Sequence, residues 1–240
     1  MELKKHITEK IHPEELFSEI VKGNKEYMTE NQEHFLELKS GQQPDITLVT
    51  CCDSRIPPEV FGLDSLNELF VIRNIGNQFR NSEGSIKYSL FHLKTPILII
   101  MGHTGCGAIQ ASLGDYREED DAIQKEVIGL TNSVRIGKDK GNDENSSDDP
   151  VLRNCLYSET NVDHQIRKVI SEYKIKPMVD DKKLTVLGMI FDIHGIYKVG
   201  SASIHLTNIN GETDIEKIKS HSILSKLSQN EKEQLVRRLS

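Results

Sequence analysis

Two short groups of chemically capable residues each stand directly behind an apolar run. TCCDSR, residues 50–55, follows Ile46, Leu48 and Val49, and GHTGCGA, residues 102–108, follows PILIIM. The first group holds two thiols, a carboxylate and a guanidinium. The second sets His103 and Cys106 three apart, with Gly105 and Gly107 relaxing the backbone. In an extended strand, residues i, i+2 and i+4 share a face. Cys51, Asp53 and Arg55 therefore point one way if the strand runs that far, and Cys52 points the other. Adjacent cysteines rarely close a disulfide on each other, and CC is not the CxxC of dithiol oxidoreductases. A redox pair is disfavoured. Two thiolates and an imidazole are instead a strong ligand set for Zn²⁺.

Such ligands need strand ends on one side of a sheet. Residues 45–51, 69–73 and 96–102 read as short buried strands. Between the last two, residues 82–94 offer Ile86, Leu90 and Leu93 as a helix face. Strand, helix, strand at this spacing predicts a parallel sheet covered by helices. Ligands gather outside the carboxyl ends of such strands. Cys51 and the His103/Cys106 pair both lie there. Three firm ligands leave a fourth position for water, as in catalytic zinc sites, or for Asp53, as in a closed structural site.

The rest of the chain completes an α/β domain over residues 1–240, with about four parallel strands and an antiparallel edge strand. Residues 13–31 predict an amphipathic helix through Leu16, Phe17, Ile20, Val21 and Tyr27. Residues 120–136 and 151–173 also predict helices, with a polar loop at 138–150. Residues 184–193 predict a strand leading into IYKVGSASI as an edge hairpin. Residues 212–240 predict a helical extension packed on the body or on a partner subunit. Cys52 and Cys155 read as small core residues, and His194 as a turn residue. His92, His164, His205 and His221 read as solvated or satisfied by the backbone.

At 240 residues there is room for a sizeable core. A 36% hydrophobic, 28% charged composition suits a globular core with polar helices, not wholesale disorder. The formal charge of −7, without an evident basic stripe, argues against nucleic acid or an anionic membrane as the main partner. Four cysteines are too sparse for a secreted disulfide scaffold. The opening residues lack an apolar leader core, and the run Ile97–Met101 is far short of a membrane span. A cytoplasmic protein is the expectation.

The combination C-x-D-S-R at residues 51–55 and G-H-x-x-C-G at residues 102–107 resembles the β-class carbonic anhydrases. The resemblance runs from about Gly41 to Ala108 and more weakly through IFDIHG. It implies one Zn²⁺ per chain on Cys51, His103 and Cys106, with Asp53 and Arg55 as the catalytic pair. It places Gln42, Phe70, Ile75, Tyr88 and Gly107 around the substrate, with Gln42, Phe70 and Tyr88 serving a partner subunit's metal. The implied activity is carbonate dehydratase, the hydration of CO₂ to bicarbonate, in a homodimer or higher even oligomer. In one subtype Asp53 displaces water from the metal when Arg55 lets go. That subtype's bicarbonate site uses a tryptophan three residues before the first cysteine. Here that position is Leu48 and the chain has no Trp, although Arg73 and Tyr88 remain. The water-open form is expected. The alternatives are a same-fold hydrolase of carbonyl sulfide or carbon disulfide, and a non-catalytic module built on structural zinc.

Overall fold

The computed structural model describes residues 12–63 and 65–240, in two compact units divided between Gln42 and Gln43. The reading of the opening residues as free of a targeting segment falls largely on residues 1–11, outside those described. Among the described residues no helix is long and apolar enough to cross a membrane.

In the N-terminal unit a helix spans Pro13–Glu37 and closes through a 3₁₀ turn, Leu38–Ser40. Proline in the first turn needs no N–H partner, and Glu14 and Glu15 suit the positive end of the helix dipole. The helix outruns its expected end at residue 31 because QEHFLE contains helix formers and neither Gly nor Pro occurs between residue 31 and Gly41. Its apolar residues Leu16, Phe17, Ile20, Tyr27 and Met28 are exposed, and it buries none of its residues.

The second unit is built on five strands: β1 (Ile46–Cys51), β2 (Leu69–Asn74), β3 (Ile97–His103), β4 (Thr185–Asp192) and β5 (Ser203–Ile209). Their order is β2-β1-β3-β4-β5; the first four are parallel and β5 runs antiparallel at the edge. This is the expected sheet. From β1 the chain crosses to β2 on one side, then returns past β1 to β3 on the other. That reversal makes the carboxyl ends of β1 and β3 a topological switch point, where a crevice opens.

Alternating side chains feed two cores. Leu48, Ile99, Met101 and Leu187 belong to one, and Val49, Leu98, Ile100, Val186 and Ile190 to the other. Helix Pro150–Ile170 packs Val162 and Ile166 into the second core. A Cβ at Gly188 would sit 2.6 Å from the Ile166 Cδ1, so glycine there lets the helix lie directly on β4. Pro150 opens this helix, and Asp149 caps it by accepting from the N–H groups of Val151 and Leu152.

Several boundaries differ from expectation. The predicted helix at 82–94 is a 3₁₀ turn (Arg80–Ser82), an α-helix (Glu83–Tyr88) and a π turn (Ser89–Leu93), stopped by Lys94 at φ +61°. The predicted helix at 120–136 breaks at Gly129 into Asp121–Ile128 and Thr131–Asp139. The 138–150 loop contains a helical turn, Asn142–Asn145. The edge strand begins at Ser203 rather than in the IYKV segment, which forms turns instead. Residues 212–240 form short helices at Ile215–Ser220 and Gln229–Leu235, after which Val236 bridges to Leu206 on β5.

Candidate metal centre

Cys51 is the last residue of β1 and His103 the last of β3. Gly105, at φ +69°, then turns the chain so that Cys106 N-caps the helix Gly107–Leu113. All three side chains are buried, and their ligand atoms lie within 4.8 Å of one another. The two sulfurs are 4.0 Å apart. His103 Nδ1 lies 3.1 Å from the Thr104 carbonyl, an acceptor that requires the ring to donate there. His103 Nε2 is left as a bare lone pair, buried with no hydrogen-bond partner among the described residues.

An orphaned nitrogen lone pair facing two thiols is costly unless a proton or a metal occupies the space. The donor set suits Zn²⁺, and the carbonyl behind Nδ1 fixes the ring tautomer as the outer partners of metal-bound histidines do. The thiols also share charge. The bond from Cys106 pushes Cys51 down to about 4, while Cys106 stays well above an ordinary thiol through that same bond and through burial.

β1 ends at Cys51, so Asp53 and Arg55 do not meet along one strand face as expected. A turn brings them together. Asp53 Oδ1 accepts from the Arg55 backbone N–H at 3.0 Å and from Nε at 2.9 Å, and Oδ2 accepts from Nη2 at 2.7 Å. This guanidinium holds the Asp53 carboxyl well below the usual carboxylate range. Asp53 Oδ2 lies 3.8 Å from His103 Nε2, which sets the ion pair beside the thiol–imidazole group. Arg73, on β2, steadies the same turn by donating to the carbonyls of Cys51 at 3.1 Å and Asp53 at 2.6 Å.

The remaining expected residues divide. Ile75 packs against the core that includes Cys51 and Cys106, and Gly107 directly follows Cys106. Phe70 is level with Thr47, toward the opposite end of β1 from Cys51, and packs against the other core. Its ring lies 6.2 Å from that of Tyr88, which is exposed and stacks on His92 at 5.2 Å. Gln42 is exposed in the N-terminal unit. Cys52 is exposed, not a core residue, because the chain leaves the sheet after Cys51; Cys155 is buried as expected. Asn154 is a residue the sequence reading missed: its amide holds the backbone of Cys106 from helix Pro150–Ile170. Its one sequence signal is a poor helix former inside a helix.

A family model described as carbonic anhydrase matches residues 46–196, which contain β1 to β4 and all three candidate ligands. The chain belongs to the carbonic anhydrase family. Carbonic anhydrase 2 of Mycobacterium tuberculosis is 32% identical over 125 residues, covering 50% of this chain and 60% of that protein. The chain thus spans about three-fifths of the length of the first curated carbonic anhydrases it matches. Among solved structures, a tetrameric β-carbonic anhydrase of Sordaria macrospora superposes with TM-score 0.69 at 25% identity, over 80% of this chain and 96% of its own. A β-carbonic anhydrase of Aspergillus fumigatus gives 0.68 at 26%, over 89% and 99%. The family is the β class, as the paired motifs anticipate.

Proposed function

We propose that this chain is a carbonate dehydratase, hydrating CO₂ reversibly to bicarbonate and a proton, with one Zn²⁺ per chain on Cys51, His103 and Cys106. The observation that carries the reading is the buried, partnerless His103 Nε2 facing two thiols at the switch point of a carbonic anhydrase fold. Bound there, zinc supplies a Lewis acid that acidifies water toward neutral pH.

The chain's own residues do the rest. Cys51 and Cys106 bind as thiolates and largely cancel the metal's charge. Asp53, kept ionised by Arg55, accepts a hydrogen bond from the attacking water and aims its lone pair at CO₂. Because Arg55 engages both oxygens of Asp53, the carboxylate is not free to close the site as a fourth ligand. That supports a water-open catalytic centre over a structural one. Ile75 gives an apolar wall suited to a nonpolar gas, and Gly107 lets the substrate approach the backbone.

Gln42, Phe70 and Tyr88 act on the partner subunit's site in a homodimer or higher even oligomer. Supporting this, Phe70 and Tyr88 lie away from the thiols of their own chain, and the helix Pro13–Glu37 exposes an apolar stripe. Gln42 then donates an N–H to oxygen as charge develops on CO₂. The protein works in the cytoplasm, with neither nucleic acid nor membrane as partner.

Stopped-flow CO₂ hydration run beside sulfide release from carbonyl sulfide and carbon disulfide tests the reading. CO₂ turnover should dominate; sulfide release without CO₂ hydration would refute it.

A further inference from the structure

We propose that Asn154 is a positioning residue for the ligand Cys106, an inference that rests on reading Cys51, His103 and Cys106 as a zinc site. Asn154 is 4% exposed near the start of helix Pro150–Ile170, and its carboxamide meets the Cys106 backbone at both ends. Oδ1 accepts the Cys106 N–H at 2.8 Å, and Nδ2 donates to the Cys106 carbonyl at 3.0 Å. The side chain thus pairs with Cys106 as a neighbouring strand would, and holds its backbone at φ −70° and ψ 119°.

Cys106 needs an outside hold. β3 ends at His103, Gly105 has just turned the chain, and the next helix begins only at Gly107. With glycine on both sides, the local backbone does little to fix where the sulfur points. Zn–S bonds are short, near ~2.3 Å, so small displacements of a ligand weaken binding. Asparagine is also a poor choice for a buried helix interior unless its polar atoms are matched. Here both are matched by Cys106, with a longer 3.5 Å bond from the Ser158 hydroxyl to Oδ1 beside them, and Cys106 is a ligand. The helix Pro150–Ile170 is anchored in the second core by Val162, Ile166 and Val169, so the hold on Cys106 is referred to the rigid body of the fold.

Zinc affinity of the whole chain, measured by chelator competition, tests the assignment without any use of CO₂. Asn154→Ala should raise the zinc dissociation constant by about 10- to 100-fold, the usual effect of removing a partner behind a ligand. Ser171→Ala is the control: it lies exposed at the far end of the same helix, where its hydroxyl donates to the Lys168 carbonyl at 2.9 Å, and its affinity should match the parent's. A folded Asn154→Ala protein with parental affinity overturns the proposal. A second measurement needs no variant. In the metal-free parent, the Cys106 amide should exchange as slowly as those of β3. Exchange as fast as in an unstructured peptide, slowed only by added zinc, also overturns it. A parent that binds zinc but hydrates no CO₂ ends the functional reading and leaves this one standing. A parent that binds no zinc ends both.

Discussion

Arg55 grips Asp53 by both carboxylate oxygens, Nε to Oδ1 at 2.9 Å and Nη2 to Oδ2 at 2.7 Å, and Nη2 also reaches the Gly105 carbonyl at 3.0 Å. Gly105 lies between His103 and Cys106, so one guanidinium ties the turn after β1 to the turn after β3. The planar fork matches a carboxylate and a carbonyl at once, which a lysine ammonium does not reproduce.

That linkage separates chemistry from fold at the pair. Asp53→Asn keeps the shape and should bind near-normal zinc, yet lose roughly 10² or more in CO₂ hydration, the scale of a positioned proton acceptor. Arg55→Ala should also lose activity, because Asp53 is freed to take the fourth position, and its residual rate should rise with pH as hydroxide competes. Zinc content, melting temperature and hydration rate on the same preparations decide the matter. Lower melting temperatures with unchanged turnover per zinc-loaded chain would mean that the pair is structural.

The thiols differ in kind. Cys51→Ser, His103→Ala and Cys106→Ser should each lose zinc and activity, whereas exposed Cys52→Ser should keep both. Metal analysis after gel filtration checks this. Loss of zinc from the Cys52 variant alone would contradict the assignment.

Metal-free protein should carry a thiol signature in its stability. Cys51 is pushed down to about 4 in the folded chain, against about 8.5 for a free thiol. Between those values the unfolded chain holds a proton that the folded chain has lost, so this group makes stability rise with pH. Its contribution is complete above the unfolded value and vanishes as pH falls through the folded one. Cys106, raised well above the ordinary value, reverses the trend above about pH 8.5. Urea unfolding of the metal-free protein across this range should therefore show a rising limb that Cys51→Ser flattens. An equally steep limb in the variant contradicts the shared proton.

If Tyr88 serves the partner's metal, two defective chains can repair each other. Tyr88→Ala and Asp53→Asn homo-oligomers should both be weak. Co-refolded mixtures should regain activity, because a mixed pair contains one site with an intact Asp53 and the other chain's Tyr88. Sedimentation should show at least a dimer at assay concentration. Subunit exchange without recovery contradicts a shared pocket.

The sheet and the placing of Cys51, His103 and Cys106 at its strand ends are legible because both are local. Aliphatic runs rich in β-branched residues mark β1, β3 and β4, and Cys51, His103 and Cys106 stand at or just past the ends of β1 and β3. Strand alternation predicts that Asp53 and Arg55 share a face, but an Asx-type turn makes their contact. The same early end of β1 moved Cys52 from core to surface. Asn154 and the Arg73 clamp were out of reach. Each lies far along the chain from the backbone it holds, Asn154 by 48 residues. Nothing in local pattern reports a bond made by tertiary packing. The break at Gly129 and the π turn after Tyr88 were missed because helical periodicity survives a single irregular turn.

Titration of zinc-stripped protein with Zn²⁺, following the initial rate of CO₂ hydration by stopped flow, tests the central claim most directly. The rate should climb from near zero in proportion to added metal and level off at about one Zn²⁺ per chain, the stoichiometry of a single three-ligand site with one open position. A rate that does not depend on zinc, or a fully zinc-loaded protein that leaves CO₂ hydration at the uncatalysed rate, contradicts it.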